Sequence, residues 1–151
     1  MKRVIPLVIA GLIATGAVAQ ETGTEVEDPL FRQADMPDLS EFRWKKRPVV
    51  VFADSENDPA YLEQIDFLQD RREELLERDV VVLIDTDPAA RSAMRLKMRP
   101  RGFMLVLVGK DGGIKLRKPF PWNVREISRS IDKMPMRQRE IRDAKEAARD
   151  S

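Results

Sequence analysis

The chain has 151 residues, with 27 lysines and arginines against 26 aspartates and glutamates, and 35% of it is charged. That balance gives no bulk reason to bind nucleic acid or a membrane surface, and the length supports one core. There is no cysteine and no histidine, which excludes a thiol nucleophile, a redox dithiol, a disulfide and a thiolate or imidazole metal site, and removes the usual general base near neutral pH.

Lys2 and Arg3 precede an apolar run over 4–15, and Ala17-Val18-Ala19 follows. A short positive region, a short apolar stretch and small residues at the exit are the features of a secretory signal peptide. The run is shorter than the roughly 20 residues a membrane span needs. Residues 1–19 are therefore expected to be removed between Ala19 and Gln20, which places the product in the periplasm or outside the cell. An uncleaved N-terminal anchor is the rival reading. Losing Lys2 and Arg3 leaves 25 basic against 26 acidic residues.

Residues 20–39 are polar, contain Pro29 and Pro37, and predict a flexible leader. The continuous apolar run 48–53 predicts a strand covered on both faces. Asp58-Pro59 supplies an N-cap and an N1 proline for a helix over 59–78. A second apolar strand spans 80–86, and Asp87-Pro88 repeats the helix-start signal for 88–98. The run 103–109 is a third strand. Asp111-Gly112 makes a tight turn, and 113–118 alternates as an edge strand does. Asn123, with Glu126 three residues on, caps a helix over 123–134. A charged helix over 137–149 ends the chain. The domain proper is expected over 40–135, with 136–151 a charged C-terminal helix and tail.

The order β-α-β-α-β-β-α predicts an α/β, thioredoxin-like domain with about four strands in a mixed sheet. In a redox thioredoxin the turn after the first strand carries a thiol pair at a helix N-terminus, where the dipole lowers the thiol pKa. Here the corresponding positions fall near Glu56 and Pro59. A proline would also stand just before the third strand, where this chain has Arg101-Gly102. What remains is an acidic rim of Asp54, Glu56 and Asp58, with Asp85 and Asp87 able to join it. It reads as helix capping with solvated charges, as a contact surface for a basic partner, or as a hard-cation site. Against the last, a calcium loop begun at Asp54 would need glycine where Pro59 stands.

Arg91, Arg95, Lys97, Arg99 and Arg101 form a basic run. It is either a solvated face or a docking patch for an anionic envelope component. Met94 and Met98, four apart, read as core filler rather than a soft-metal pair. Trp44 and Trp122 read as edge-packing anchors.

Several stretches together carry a family resemblance: the strand entry from Trp44 through Ala53, Gln64, the run from Glu77 into the second strand, the hairpin from Leu107 through Arg117, and Ile131-Asp-Lys-Met-Pro-Met-Arg-Gln-Arg-Glu140. Over about 40–142 the chain resembles the DUDES family. These are bacterial exported domains of unknown function, related to domains in animal secreted sushi-repeat-containing proteins. The resemblance implies a thioredoxin-like fold and an extracytoplasmic setting. It brings no settled reaction, so no catalytic residue is carried over, and no cofactor is expected. The expected function is a non-catalytic module that binds a protein or an envelope component. The alternative is an enzyme of unconventional redox or carboxylate chemistry.

Overall fold

The computed structural model describes residues 27–151. The signal segment and its cleavage point at Ala19 and Gln20 lie outside them. The strands are β1 (Phe31–Gln33), β2 (Arg47–Phe52), β3 (Val80–Asp85), β4 (Met104–Val108) and β5 (Ile114–Lys118). They form one mixed sheet in the order β1-β3-β2-β4-β5. β1 and β2 flank β3 in parallel, whereas β4 runs antiparallel to both β2 and β5.

Every residue of β2 is buried, and side chains alternate between two cores. Val49 and Val51 face one of them, with Leu68, Leu75, Ile127 and Ile131 from α1 (Pro59–Asp70), α2 (Arg72–Glu77) and α4 (Val124–Asp132). Val50 and Phe52 face the other, with Met94 and Met98 from α3 (Ala93–Met98), Phe42 and Met36. Two covered faces are why the strands read as continuous rather than alternating apolar runs. The two methionines are core filler.

Among the described residues the sheet has five strands, not four. The fifth comes from the stretch expected to be a leader: β1 pairs Phe31 with Val82, and Leu30 is fully buried. Leu30 is fixed by its own backbone, since its N–H donates to Asp28 Oδ1 at 2.8 Å and its carbonyl accepts from Val82 N–H at 2.7 Å. Arg72 also reaches Asp28 at 2.7 Å.

The helices are shorter than the sequence predicts. The 59–78 helix breaks at Arg71 (φ −128°, ψ 36°) into α1 and α2. A 20-residue helix would run about 30 Å, while a six-residue strand runs about 20 Å; the break lets the chain return to the sheet in time. The 88–98 helix is a single 3-10 turn (Pro88–Ala90), then Arg91 in the left-handed region, then α3 with Ser92 as its N-cap. The last helix, α5 (Pro135–Arg149), starts with its proline at N1. At the β4–β5 hairpin Gly112 takes φ +83°, which the Asp-Gly pair predicts. No helix among the described residues is long and apolar enough to cross a membrane.

Candidate functional site

The acidic rim sits where β2 ends. Asp54, Ser55, Glu56 and Asn57 are exposed. The turn is held by its own polar groups: Asn57 N–H donates to Ser55 Oγ at 3.1 Å and Asp58 N–H to Ser55 O at 3.2 Å. Asp58 Oδ1 accepts from Ala60 N–H at 2.8 Å, the expected N-cap of α1. Asp54 and Glu56 make no ion pair among the described residues. Burial pushes the Tyr61 phenol pKa up, and the nearby Glu56 charge adds to it. Asp54 faces Gly102, which has φ +64° in the loop before β4.

Asp85 is not part of the open rim. It is buried and takes Arg95 Nη2 at 2.9 Å, Arg95 Nε at 3.3 Å, the Ser92 hydroxyl and Asp87 N–H. Arg95 also donates to Ala53 O at 2.9 Å and Asp85 O at 3.1 Å, and lies over the Phe52 ring at 5.5 Å. One residue from each predicted patch has thus paired with the other. Together they tie the ends of β2 and β3 beneath the rim. Arg95 leaves the basic run for the same reason, while Arg91, Lys97, Arg99 and Arg101 stay exposed. Arg91 and Arg99 sit at left-handed turns, with φ 48° and 50°. Asp87 caps the 3-10 turn through Ala89 N–H at 3.2 Å. Among the described residues no three Asp, Glu, His or Cys side chains come together as a metal set.

The segment after β5 begins at the same end of the sheet as the rim. Lys118 pairs with Leu105 at the β4 end nearest the rim, so the chain leaves the sheet there, and Phe120 is exposed. Gln64, fully buried on α1, fixes this segment. Its amide donates to Trp122 O at 2.9 Å and accepts from Trp122 N–H at 2.8 Å. Gln64→Ala leaves both Trp122 backbone groups unpaired and is expected to cost about 2 kcal/mol, read as a lowered urea midpoint with an unchanged slope. Trp122 packs against the core, as an edge anchor should. Trp44 does not. It is 62% exposed at φ 65°, because its N–H donates to Lys110 O and the turn throws the ring outward beside Arg43.

Sequence reasoning missed the other end of the sheet altogether. Arg47 opens β2 and is fully buried. Its guanidinium grips Glu140 of α5 at 2.9 and 3.2 Å and Arg78 O at 2.9 Å. Lys110 joins Glu140 at 2.7 Å to Asp79 at 2.8 Å. Beside them Arg78 forks onto Asp132 at 3.0 and 2.9 Å. Burial pushes the Glu140 carboxyl up, but hydrogen bonds and charge from Arg47 and Lys110 outweigh it, so its pKa lies below the usual carboxylate value. The Arg78 hydrogen bonds lower Asp132 likewise. The one sequence signal is that the basic run Lys45-Lys46-Arg47 carries its last member into an otherwise apolar strand.

Solved structures with this architecture include chloroplastic thioredoxin z, at 19% identity over 72% of this chain and 95% of that one, with a TM-score of 0.54. The reduced 2-Cys peroxiredoxin of Plasmodium vivax matches at 15% identity over 67% and 84%, with a TM-score of 0.54. Thioredoxin peroxidase I of Plasmodium yoelii matches at 18% over 67% and 79%, with a TM-score of 0.51. At these identities they establish a thioredoxin-like fold and nothing about activity. Residues 38–140 match the family described as Domain of unknown function (DUF4174). The match covers most of the chain, from the turn before β2 to Glu140 of the buried ion network, and the protein belongs to that family.

Proposed function

We propose that the chain is an exported, non-catalytic thioredoxin-like module that docks a basic segment of a partner protein on the rim where a thiol pair would stand. One observation carries the reading. Asp54 and Glu56 are exposed and without ion-pair partners among the described residues, at the N-terminal entry to α1, while the carboxylate beside them, Asp85, is consumed by Arg95. Two free carboxylates on a short, self-bonded turn favour a cationic partner and give salt-sensitive association. Exposed Leu62, in the first turns of α1, supplies apolar contact next to them. Thiol chemistry has no place here, since the chain lacks cysteine.

Export rests on the charge, apolar run and Ala-Val-Ala exit of residues 1–19. The narrower kinship to the DUDES domains and their sushi-repeat relatives, drawn from the hairpin and the 131–140 stretch, belongs to the same proposal.

The test is crosslinking capture from periplasmic extract by the native chain and by the Asp54→Asn, Glu56→Gln double variant. Both substitutions are on exposed turn positions and are expected to leave stability within about 0.5 kcal/mol. A partner held by the native chain, weakened by salt and lost by the variant supports the reading. Equal capture by the two chains would sink it.

A further inference from the structure

At the pole opposite the acidic rim, a cavity of about 510 Å³ opens between the β4–β5 hairpin and the α4–α5 junction. Among the described residues, Arg47, Lys110, Lys115 and Lys133 line it, against a single lining carboxylate, Asp111. Its remaining wall is largely apolar, from Leu116, Met134, Pro135 and Met136.

The polar groups of this cavity are incompletely used. Arg47 is fully buried, yet its Nε–H has no partner among the described residues. Buried donors are almost always satisfied, so an orphan on a guanidinium that lines a cavity asks for an acceptor from outside the chain. Lys110 is 8% exposed. Its ammonium has three donors, and Asp79 and Glu140 take two. Lys133, which is exposed at the C-cap of α4, makes no ion pair among the described residues. The 15-residue α5 begins at the cavity wall, and Met134 offers its first-turn N–H groups no side-chain cap. Those groups and the helix dipole favour negative charge at the same place.

We propose that this cavity binds a small amphiphilic oxyanion, with a phosphate or carboxylate head on a short apolar body. The head meets Lys133, the open Arg47 and Lys110 donors and the α5 N-terminus. The body lies on Leu116, Met134 and Met136. Glu140 and Asp79 already offset much of the Arg47 and Lys110 charge, so a bare anion gains little and the apolar wall is needed to complete the affinity. The cavity is of ligand size. It lies a full six-residue strand from the rim, about 20 Å, so neither site depends on the other.

The test is an NMR titration of the purified chain with hexyl phosphate, inorganic phosphate and hexanol, following the Arg47 Nε–H and the Met136 and Lys133 amides. Hexyl phosphate is expected to saturate with a Kd near or below about 1 mM and to bind about tenfold more tightly than inorganic phosphate. Hexanol is expected to leave those signals in place. Lys133→Glu should weaken hexyl phosphate about tenfold, and Met136→Trp, which fills the cavity, should abolish the shifts while the thermal midpoint holds. No saturable shift up to about 10 mM, equal response to hexanol, or native-like binding by both variants would overturn the proposal. Phosphatidylglycerol vesicles identify the source of the head. Co-sedimentation lost in Met136→Trp assigns a lipid, and hexyl phosphate binding without co-sedimentation assigns a soluble ligand; either supports the site. A loss of binding here would leave partner capture at the rim untouched.

Discussion

Glu140→Ala is expected to cost about 3 kcal/mol of stability, a drop of about 10 °C in Tm. The reason is Arg47 rather than Glu140. The Arg47 side chain is 1% exposed and, among the described residues, Glu140 is its only carboxylate partner. Removing that partner strands a cation inside the fold, where the hydration it lost on folding cannot be regained. Lys110 keeps Asp79 and so suffers less. Replacing the pair together, with Arg47→Met and Glu140→Met, is expected to restore most of the loss, because two well-packed apolar side chains remove the desolvation cost as well as the attraction. Urea unfolding of both single variants and the double variant closes the cycle. A single-variant loss under about 1 kcal/mol would mean that Arg47 finds another acceptor.

The same network sets an acid limit. Glu140 and Asp132 have folded pKa values below their ordinary 4.5 and 3.8. Their contribution is complete above those ordinary values and is lost as the pH falls through the depressed ones. Stability should therefore fall on acidification below about pH 4.5, and Glu140→Gln should flatten that fall as it lowers the plateau. An acid limb unchanged in Glu140→Gln would remove Glu140 from the account.

Arg95→Ala is expected to cost about 3–5 kcal/mol, against within about 0.5 kcal/mol for Lys97→Ala two residues on. Arg95 is the counter-charge to a carboxylate whose side chain is 5% exposed. It is also a donor to the Ala53 and Asp85 carbonyls at the ends of two parallel strands. Its loss leaves one buried charge and removes a donor from two carbonyls, with the Phe52 ring losing its cationic cover. Lys97 is exposed and reaches no ion partner among the described residues. Equal effects for the two variants, read from denaturation midpoints, would return Arg95 to the solvated face that sequence reasoning allowed.

The two arginines show where the sequence is legible and where it is not. Strands β2, β3 and β4 announce themselves because both sheet faces are covered and each strand becomes a run of valine, leucine and isoleucine. Asp58, Asp87 and Asn123 announce helix or turn starts because capping is local chemistry, satisfied within three residues. The hairpin follows from Asp111-Gly112 for the same reason. β1 is silent because three half-buried or exposed residues, Phe-Arg-Gln, carry no periodicity. Their place comes from Val82 and its neighbours some fifty positions away. Arg95 and Asp85 stand ten apart, and each fits a surface patch of its own sign. Only the fold shows that they neutralise one another. Arg47 and Glu140 lie 93 positions apart, and no local pattern can link them. Asp54, Glu56 and Asp58 share one turn because their positions follow directly from where β2 ends and α1 is capped. The cationic cavity at the other pole carries no local signal, because two strands, the β4–β5 hairpin and the ends of two helices, far apart in the chain, contribute to it.

Docking of a basic partner on the acidic rim, as proposed, should be visible residue by residue. The most direct measurement is a map of backbone amide shifts on adding the captured partner at rising salt. Docking there predicts shifts confined to residues 54–62 and the 119–122 segment that Gln64 anchors, fading as salt is raised. Shifts that centre on Lys133 and the α5 N-terminus, or that ignore Asp54→Asn and Glu56→Gln, would contradict it.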